Sequence, residues 1–218
     1  MDRTTLALKG FRRERGLLWP DYDERCAAVT FAETENALPQ ILAHVAQRRV
    51  VVQAGGNCGP LVRQLAPLFG AVYTFEPDPR NFVALTVNTA EFANVHRYQA
   101  VLGVDRRTVD LAQGDAKYPA NCGSFYASGT GTIPTLQVDD LGLSGCDLLM
   151  LDVEGAEFAA LLGAEDTVLK HRPVVVIESK GLGERFFDEP ADVAERFLKT
   201  RDYKRAAKIK ADLIMVPA

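Results

Sequence analysis

Val50-Val51-Val52-Gln53-Ala54-Gly55-Gly56-Asn57-Cys58-Gly59 is the stretch whose reading decides the fold. A β-branched run ends in a turn rich in glycine, Gly55, Gly56 and Gly59, and an apolar helical stretch marked by Leu61, Leu65 and Leu68 follows. Valine favours a buried, extended strand, and glycine lets the backbone turn sharply at its end and approach a ligand closely. A helix starting at such a turn points its first amide groups at whatever sits over the strand end. The next apolar run, Val72-Tyr73-Thr74-Phe75, ends in Glu76, at the spacing of a carboxylate that accepts hydrogen bonds from both hydroxyls of a ribose. Together these features predict a βαβ unit that binds a nucleoside, without choosing the nucleoside.

A second cluster, Asp147-Leu148-Leu149-Met150-Leu151-Asp152-Val153-Glu154-Gly155-Ala156-Glu157, again runs from an apolar strand into acids at a strand-to-helix turn. Both clusters, their order and separation, and the intervening Glu76-Pro77-Asp78-Pro79 resemble the FkbM-type family of S-adenosylmethionine-dependent methyltransferases, over roughly residues 48 to 180. The resemblance implies an α/β class I methyltransferase fold: a Rossmann-like three-layer sandwich around a seven-stranded, mostly parallel sheet with an antiparallel last strand. It also implies S-adenosylmethionine as cofactor and methyl transfer to oxygen on a small-molecule or sugar-containing acceptor. In that family the first strand usually ends Asp-x-Gly-Ala-Asn-x-Gly and the fourth carries Asp-x-Glu-Gly-x-Glu. The second motif is intact here, whereas Gln53 stands where an Asp is usual. An amide accepts the same hydrogen bond from the cofactor's ammonium group without the charge, so Gln53→Asp is expected to strengthen cofactor binding.

Ligands of open parallel sheets bind outside the carboxyl ends of the strands, and the acidic and glycine clusters all fall there. The expected cofactor cradle is Gln53, Gly55, Gly56, Asn57 and Gly59, with Glu76 on the ribose, and Asp78, Asp115 and Asp152 as further contacts. Asp78 reads equally as the cap of the helix beginning near Pro79. Phe82 reads as core, and Asn88 and Asn94, which match asparagines common in the family, as helix-end caps. Asp152 and Glu154 are the candidate catalytic residues, because methyl transfer to a hydroxyl needs an aligned acceptor and gains from a carboxylate that takes its proton. Glu157 suits the positive start of the next helix. A divalent ion on Asp152, Glu154 and Glu178 is the lesser alternative, and no metal is expected; His44, His96 and His171 form no ligand-spaced pair.

Twenty-five basic against 29 acidic residues give a net charge of -4 over 218 residues, which offers no long-range attraction to nucleic acid or to an anionic membrane. Four separated cysteines, Cys26, Cys58, Cys122 and Cys146, form no Cys-x-x-Cys pair and suit a reducing cytoplasm. Residues 1–33 read as an irregular arm or cap, residues 34–218 as the methyltransferase domain, and 103–135 as an insertion or substrate loop with at most a short strand near 108–112. The expected strands lie near 49–54, 71–75, 95–101, 147–152 and 173–177. Helices are expected at 35–47, 79–90, 156–169 and 190–199, before a closing hairpin. Two rival functions fit the glycine turn: a non-catalytic nucleoside-binding protein with a degenerate pocket, and an NAD-dependent oxidoreductase, whose Tyr-x-x-x-Lys set is lacking.

Overall fold

The computed structural model describes residues 8–218, so residues 1–7 of the expected arm lie outside the described part. The chain opens with a hairpin, β1 (Phe11–Glu14) and β2 (Leu17–Pro20), and a long helix, α1 (Cys26–Leu42). The repeating portion runs β3 (Val50–Ala54), α2 (Pro60–Leu65), β4 (Ala71–Phe75), α3 (Pro79–Asn88) and β5 (Val95–Tyr98). Three strands form a separate small sheet: β6 (Val101–Leu102), β7 (Thr108–Gln113) and β8 (Phe125–Leu136). Then follow β9 (Leu148–Leu151), α4 (Glu157–Leu162), α5 (Glu165–His171), β10 (Val174–Glu178), α6 (Leu182–Phe187), α7 (Val193–Lys199), β11 (Tyr203–Ile209) and β12 (Asp212–Pro217).

The main sheet has the order β11-β12-β10-β9-β3-β4-β5. The five strands from β10 to β5 are mutually parallel, and β12 runs antiparallel to both β10 and β11. Only two residues, Lys210 and Ala211, separate β11 from β12, and a link that short joins only antiparallel neighbours. This is the seven-stranded sheet with an antiparallel last strand that the resemblance implies. Alternate residues of each strand enter opposite layers, as the pleat requires. Val52, Leu149, Leu151 and Ile177 pack with Leu161 and Phe197 on one face, while Val51, Met150, Val176 and Ile214 pack with Ile41, Leu65 and Leu85 on the other. Burial on both faces explains why these strands read as continuous apolar runs rather than alternating ones.

Several boundaries differ from the sequence expectation. Helix α1 begins at Cys26 rather than 35, so the division at 33 between arm and domain cuts through one helix. Two carboxylate oxygens of Asp23 explain the early start, since they accept the amides of Cys26 and Ala27. The hairpin is not irregular: Trp19 is fully buried in a third apolar cluster with Leu18, Phe31 and Ala84, and its indole donates to Asp23. The segment 103–135 is a β-ribbon more than a loop, because β8 pairs antiparallel with β7 across a register shift at Val109/Asp110. A Cβ on Gly131 would lie 2.5 Å from the Val109 carbonyl oxygen, so this glycine serves the bulge. The helix expected over 156–169 is two helices, α4 and α5, that part at Gly163 and Ala164, and α6 had no sequence counterpart.

Candidate active site

Strands β3 and β4 converge on the glycine turn. The amides of Gly55 and Gly56 both donate to the Phe75 carbonyl, at 3.0 and 2.9 Å. Gly55 has φ +86°, and a Cβ there would lie 2.0 Å from the Asp152 carbonyl oxygen, so only glycine fits between the ends of β4 and β9. Glu76 is 5% exposed. Its Oε2 accepts the Asn57 amide at 2.7 Å and its Oε1 accepts the Asp78 amide at 2.9 Å, which ties the carboxylate to the turn it faces. Burial pushes this carboxyl up to about 7 despite those amides.

Gln53 has a different occupation from the one expected. Its Nε2 donates to the carbonyls of Ala54 (3.2 Å) and Gly55 (2.8 Å), and its Oε1 accepts the Thr74 hydroxyl at 2.7 Å. The amide shapes the turn, and both of its N–H groups are spent on backbone that an Asp could not serve. Asp78 takes its helix-capping role, accepting the amides of Arg80 and Asn81, and Gly59 starts α2 at φ +92°; neither lines the cavity described below. Asp115 does line it, while accepting the amides of Lys117 and Tyr118. The two asparagines are brackets: Asn88 bonds both backbone groups of Leu18 and the Cys58 carbonyl, and Asn94 donates to Ala66 and Phe69. Phe82 packs against the core, as expected.

The acidic end is built by β9 and β10. Asp152 is exposed just beyond β9, and Glu154 follows on left-handed backbone, φ +53°. Burial, reinforced by Asp152, raises the Glu154 carboxyl to about 8. Glu157 closes the turn by accepting the amides of Val153 and Gly155, each at 3.2 Å, which is its helix-start role. Glu178 ends β10, and burial followed by the Asp152 charge pushes its carboxyl up. Its Oε1 pairs with the Lys180 ammonium, while its Oε2 is buried without a hydrogen-bond partner. Burial alone would depress Lys180, but the charges of Glu178, Asp152 and Glu154 outweigh it and hold the ammonium charged.

A single cavity of about 610 Å³ joins the two ends. Gln53, Gly55, Gly56, Asn57, Glu76, Asp115, Asp152 and Glu154, all expected from the sequence, line it together. Its walls also contain Cys26 and Thr30 of α1, Phe125 of β8, and Lys180, Arg185 and Phe186 near α6, which the sequence reading missed. Phe186 stacks on Tyr126 with ring centres 4.0 Å apart, so α6 closes against the ribbon. Lys180 carried a signal, since it stands two residues beyond the carboxyl end of the fifth parallel strand. The α6 residues carried none. Among the described residues no helix is long and apolar enough to cross a membrane.

A sheet of this order, with the glycine turn and the acids of β9 opening on one cavity at its carboxyl edge, defines the class I methyltransferase fold. Magnesium protoporphyrin IX methyltransferase from Synechocystis PCC 6803, solved with bound SAM, shares that fold at a TM-score of 0.50 and 12% identity, over 88% of this chain and 81% of that one. The chain belongs to the FkbM methyltransferase family, because residues 62–205, more than half of its length, match the Methyltransferase FkbM domain. A 2-O-methyltransferase, NoeI, from Sinorhizobium fredii (strain NBRC 101917 / NGR234) is 28% identical over 147 residues, which is 56% of this chain and 60% of NoeI. A methyltransferase FkbM structure from Methylobacillus flagellatus KT superposes at a TM-score of 0.49 with 18% identity, over 77% of this chain and 43% of that one. The chain therefore spans less than two thirds of either relative.

Proposed function

We propose that this methyltransferase uses S-adenosylmethionine to methylate a hydroxyl oxygen on a small, sugar-like acceptor. One observation carries the reading: a single cavity connects the glycine turn and Glu76 at one end with Asp152 and Glu154 at the other. The residues present fit the cofactor. Gly55 and Gly56 present bare backbone to the cavity, and Glu76 supplies an acceptor carboxylate beside them. Gly55, Gly56, Asn57 and Glu76 would hold the aminoacyl and ribose portions, and the bound cofactor supplies an electrophilic methyl group. Asp152 and Glu154 orient the acceptor hydroxyl, and one of the two receives its proton as its oxygen gains the methyl. Phe186, backed by the stacked Tyr126 ring, and the polar groups of Asp115, Lys180 and Arg185 give the cavity the mixed character that hydroxylated rings use. That NoeI is a 2-O-methyltransferase supports oxygen as the acceptor atom.

Family membership favours this reading over the oxidoreductase and the non-catalytic alternatives. Calorimetry with S-adenosylmethionine, S-adenosylhomocysteine and NAD tests it. Binding of the first two with no response to NAD is expected, together with a rise in melting temperature, since a ligand of the folded state stabilises it by mass action. Failure of both sulfur ligands at millimolar concentration would overturn the proposal.

A further inference from the structure

We propose that Asp152, Glu154 and Glu178 form a divalent-cation site at the acceptor end of the cavity. One carboxylate oxygen from each lies within 4.8 Å of the others. Oxygens bound to a shared ion at about 2.1 Å for Mg²⁺, or about 2.4 Å for Ca²⁺, are at most about 4.2 or 4.8 Å apart, so three acids this close have the width of one hard-cation shell. A second observation is independent of that spacing. The Glu178 side chain is 7% exposed and lines the cavity, and with Oε1 committed to Lys180 its Oε2 has no hydrogen-bond partner. A buried carboxylate oxygen without a donor is costly, and a cation supplies the missing partner.

The charges agree. Once all three acids are ionised around the ion, three carboxylates against the Lys180 ammonium leave an excess of two negative charges, which a divalent ion neutralises. The exposed Asp152 gives an entry path. A similarly close group elsewhere, Asp23, Cys26 and Cys122, is different in kind. There the Asp23 oxygens already accept the amides of Cys26, Ala27 and Cys122 and the Trp19 indole, so its carboxylate is satisfied by the fold. The inference raises the lesser sequence alternative above the expectation of no metal, because the fold adds the buried Glu178 oxygen that has no hydrogen-bond partner. The ion would hold the acceptor hydroxyl and lower its hold on its proton. That role rests on the proposed methyl transfer, whereas binding of the ion does not.

The test is titration of the metal-stripped chain with Mn²⁺, followed by the electron paramagnetic resonance of free Mn²⁺, with no cofactor added. Saturable binding at one site is expected, displaced by Mg²⁺ or Ca²⁺. Glu178→Gln and Glu154→Gln should each weaken it on the order of tenfold or more, since ligand charge sets affinity, with circular dichroism confirming that both variants are folded. Lys180→Met should tighten it by removing a competing positive charge. No binding at millimolar Mn²⁺, or equal affinity in wild type and both Gln variants, would overturn the proposal. Binding by Lys180→Met alone would overturn it too, because the ammonium would then be the resident cation. A parallel titration with S-adenosylhomocysteine separates failure of the metal site from failure of the methyltransferase reading.

Discussion

Gln53 is hydrogen-bonded through both ends of its amide, to Thr74 on one side and to the carbonyls of Ala54 and Gly55 on the other. The sequence-based expectation that Gln53→Asp strengthens cofactor binding therefore gives way to another. An Asp removes both donors and buries a charge, so Gln53→Asp should cost about 1–3 kcal/mol of stability, the penalty for leaving buried polar groups unpaired. Urea denaturation at neutral pH measures it, and an unchanged midpoint would mean that the turn does not depend on the amide. Glu76 is the complementary case. With each oxygen already taking one amide and a lone pair left on each, Glu76→Ala should weaken S-adenosylhomocysteine binding by about 1.5–3 kcal/mol, the range for hydrogen bonds to a charged group. Calorimetry on a variant shown to be folded decides this, and full affinity would remove Glu76 from the site. Both positions were legible because their spacing from the glycines is local. The assignment of Asp78 was not, because an acid before a helix caps it and contacts a ligand with the same oxygens.

Among the elements, the hairpin β1–β2 and the ribbon β7–β8 are where the sequence said least. Their strands are short or interrupted by Gly129, Gly131 and Pro134, and the placement of the hairpin depends on Asn88, which is distant in the chain. Asn88 shows how the hairpin is held: the side chain of the last residue in α3 accepts the Leu18 amide and donates to the carbonyls of Leu18 and Cys58. Asn88→Ala strands three buried backbone groups and should destabilise the protein by about 2 kcal/mol or more. Amides of residues 17–19 should then exchange with deuterium faster while those of β9 keep their protection. Equal acceleration in both would mean that Asn88 supports the whole fold rather than the hairpin. The ribbon and α6 pack as a pair, since Tyr126 on one stacks on Phe186 of the other, which lines the cavity.

At the scale of the molecule, buried acids set the response to pH. Burial raises Glu76 and Glu157 to about 7 and Glu154 to about 8, from an ordinary 4.5. Each holds its proton more tightly folded than unfolded, so its contribution to stability is complete below 4.5 and is lost as pH rises through 7 to 8. The ligand-free protein should thus have a lower urea midpoint at about pH 8.5 than at about pH 6. Glu157→Gln, which keeps an acceptor for the Val153 and Gly155 amides, should flatten the decline. A midpoint that rises over this interval would contradict the assignment. The sequence by itself determined the parallel βα core, the glycine turn, the carboxylates at the strand ends and the closing hairpin, because continuous valine and leucine runs, glycine and acids at fixed spacing act through neighbouring backbone. Only the tertiary structure decided that α1 starts at Cys26, that residues 103–135 pair as a ribbon, that Gln53 turns inward, and that Lys180 joins the three acids while one Glu178 oxygen stays without a hydrogen-bond partner. Those outcomes depend on which distant groups satisfy buried donors and acceptors, and no local pattern of residues specifies that.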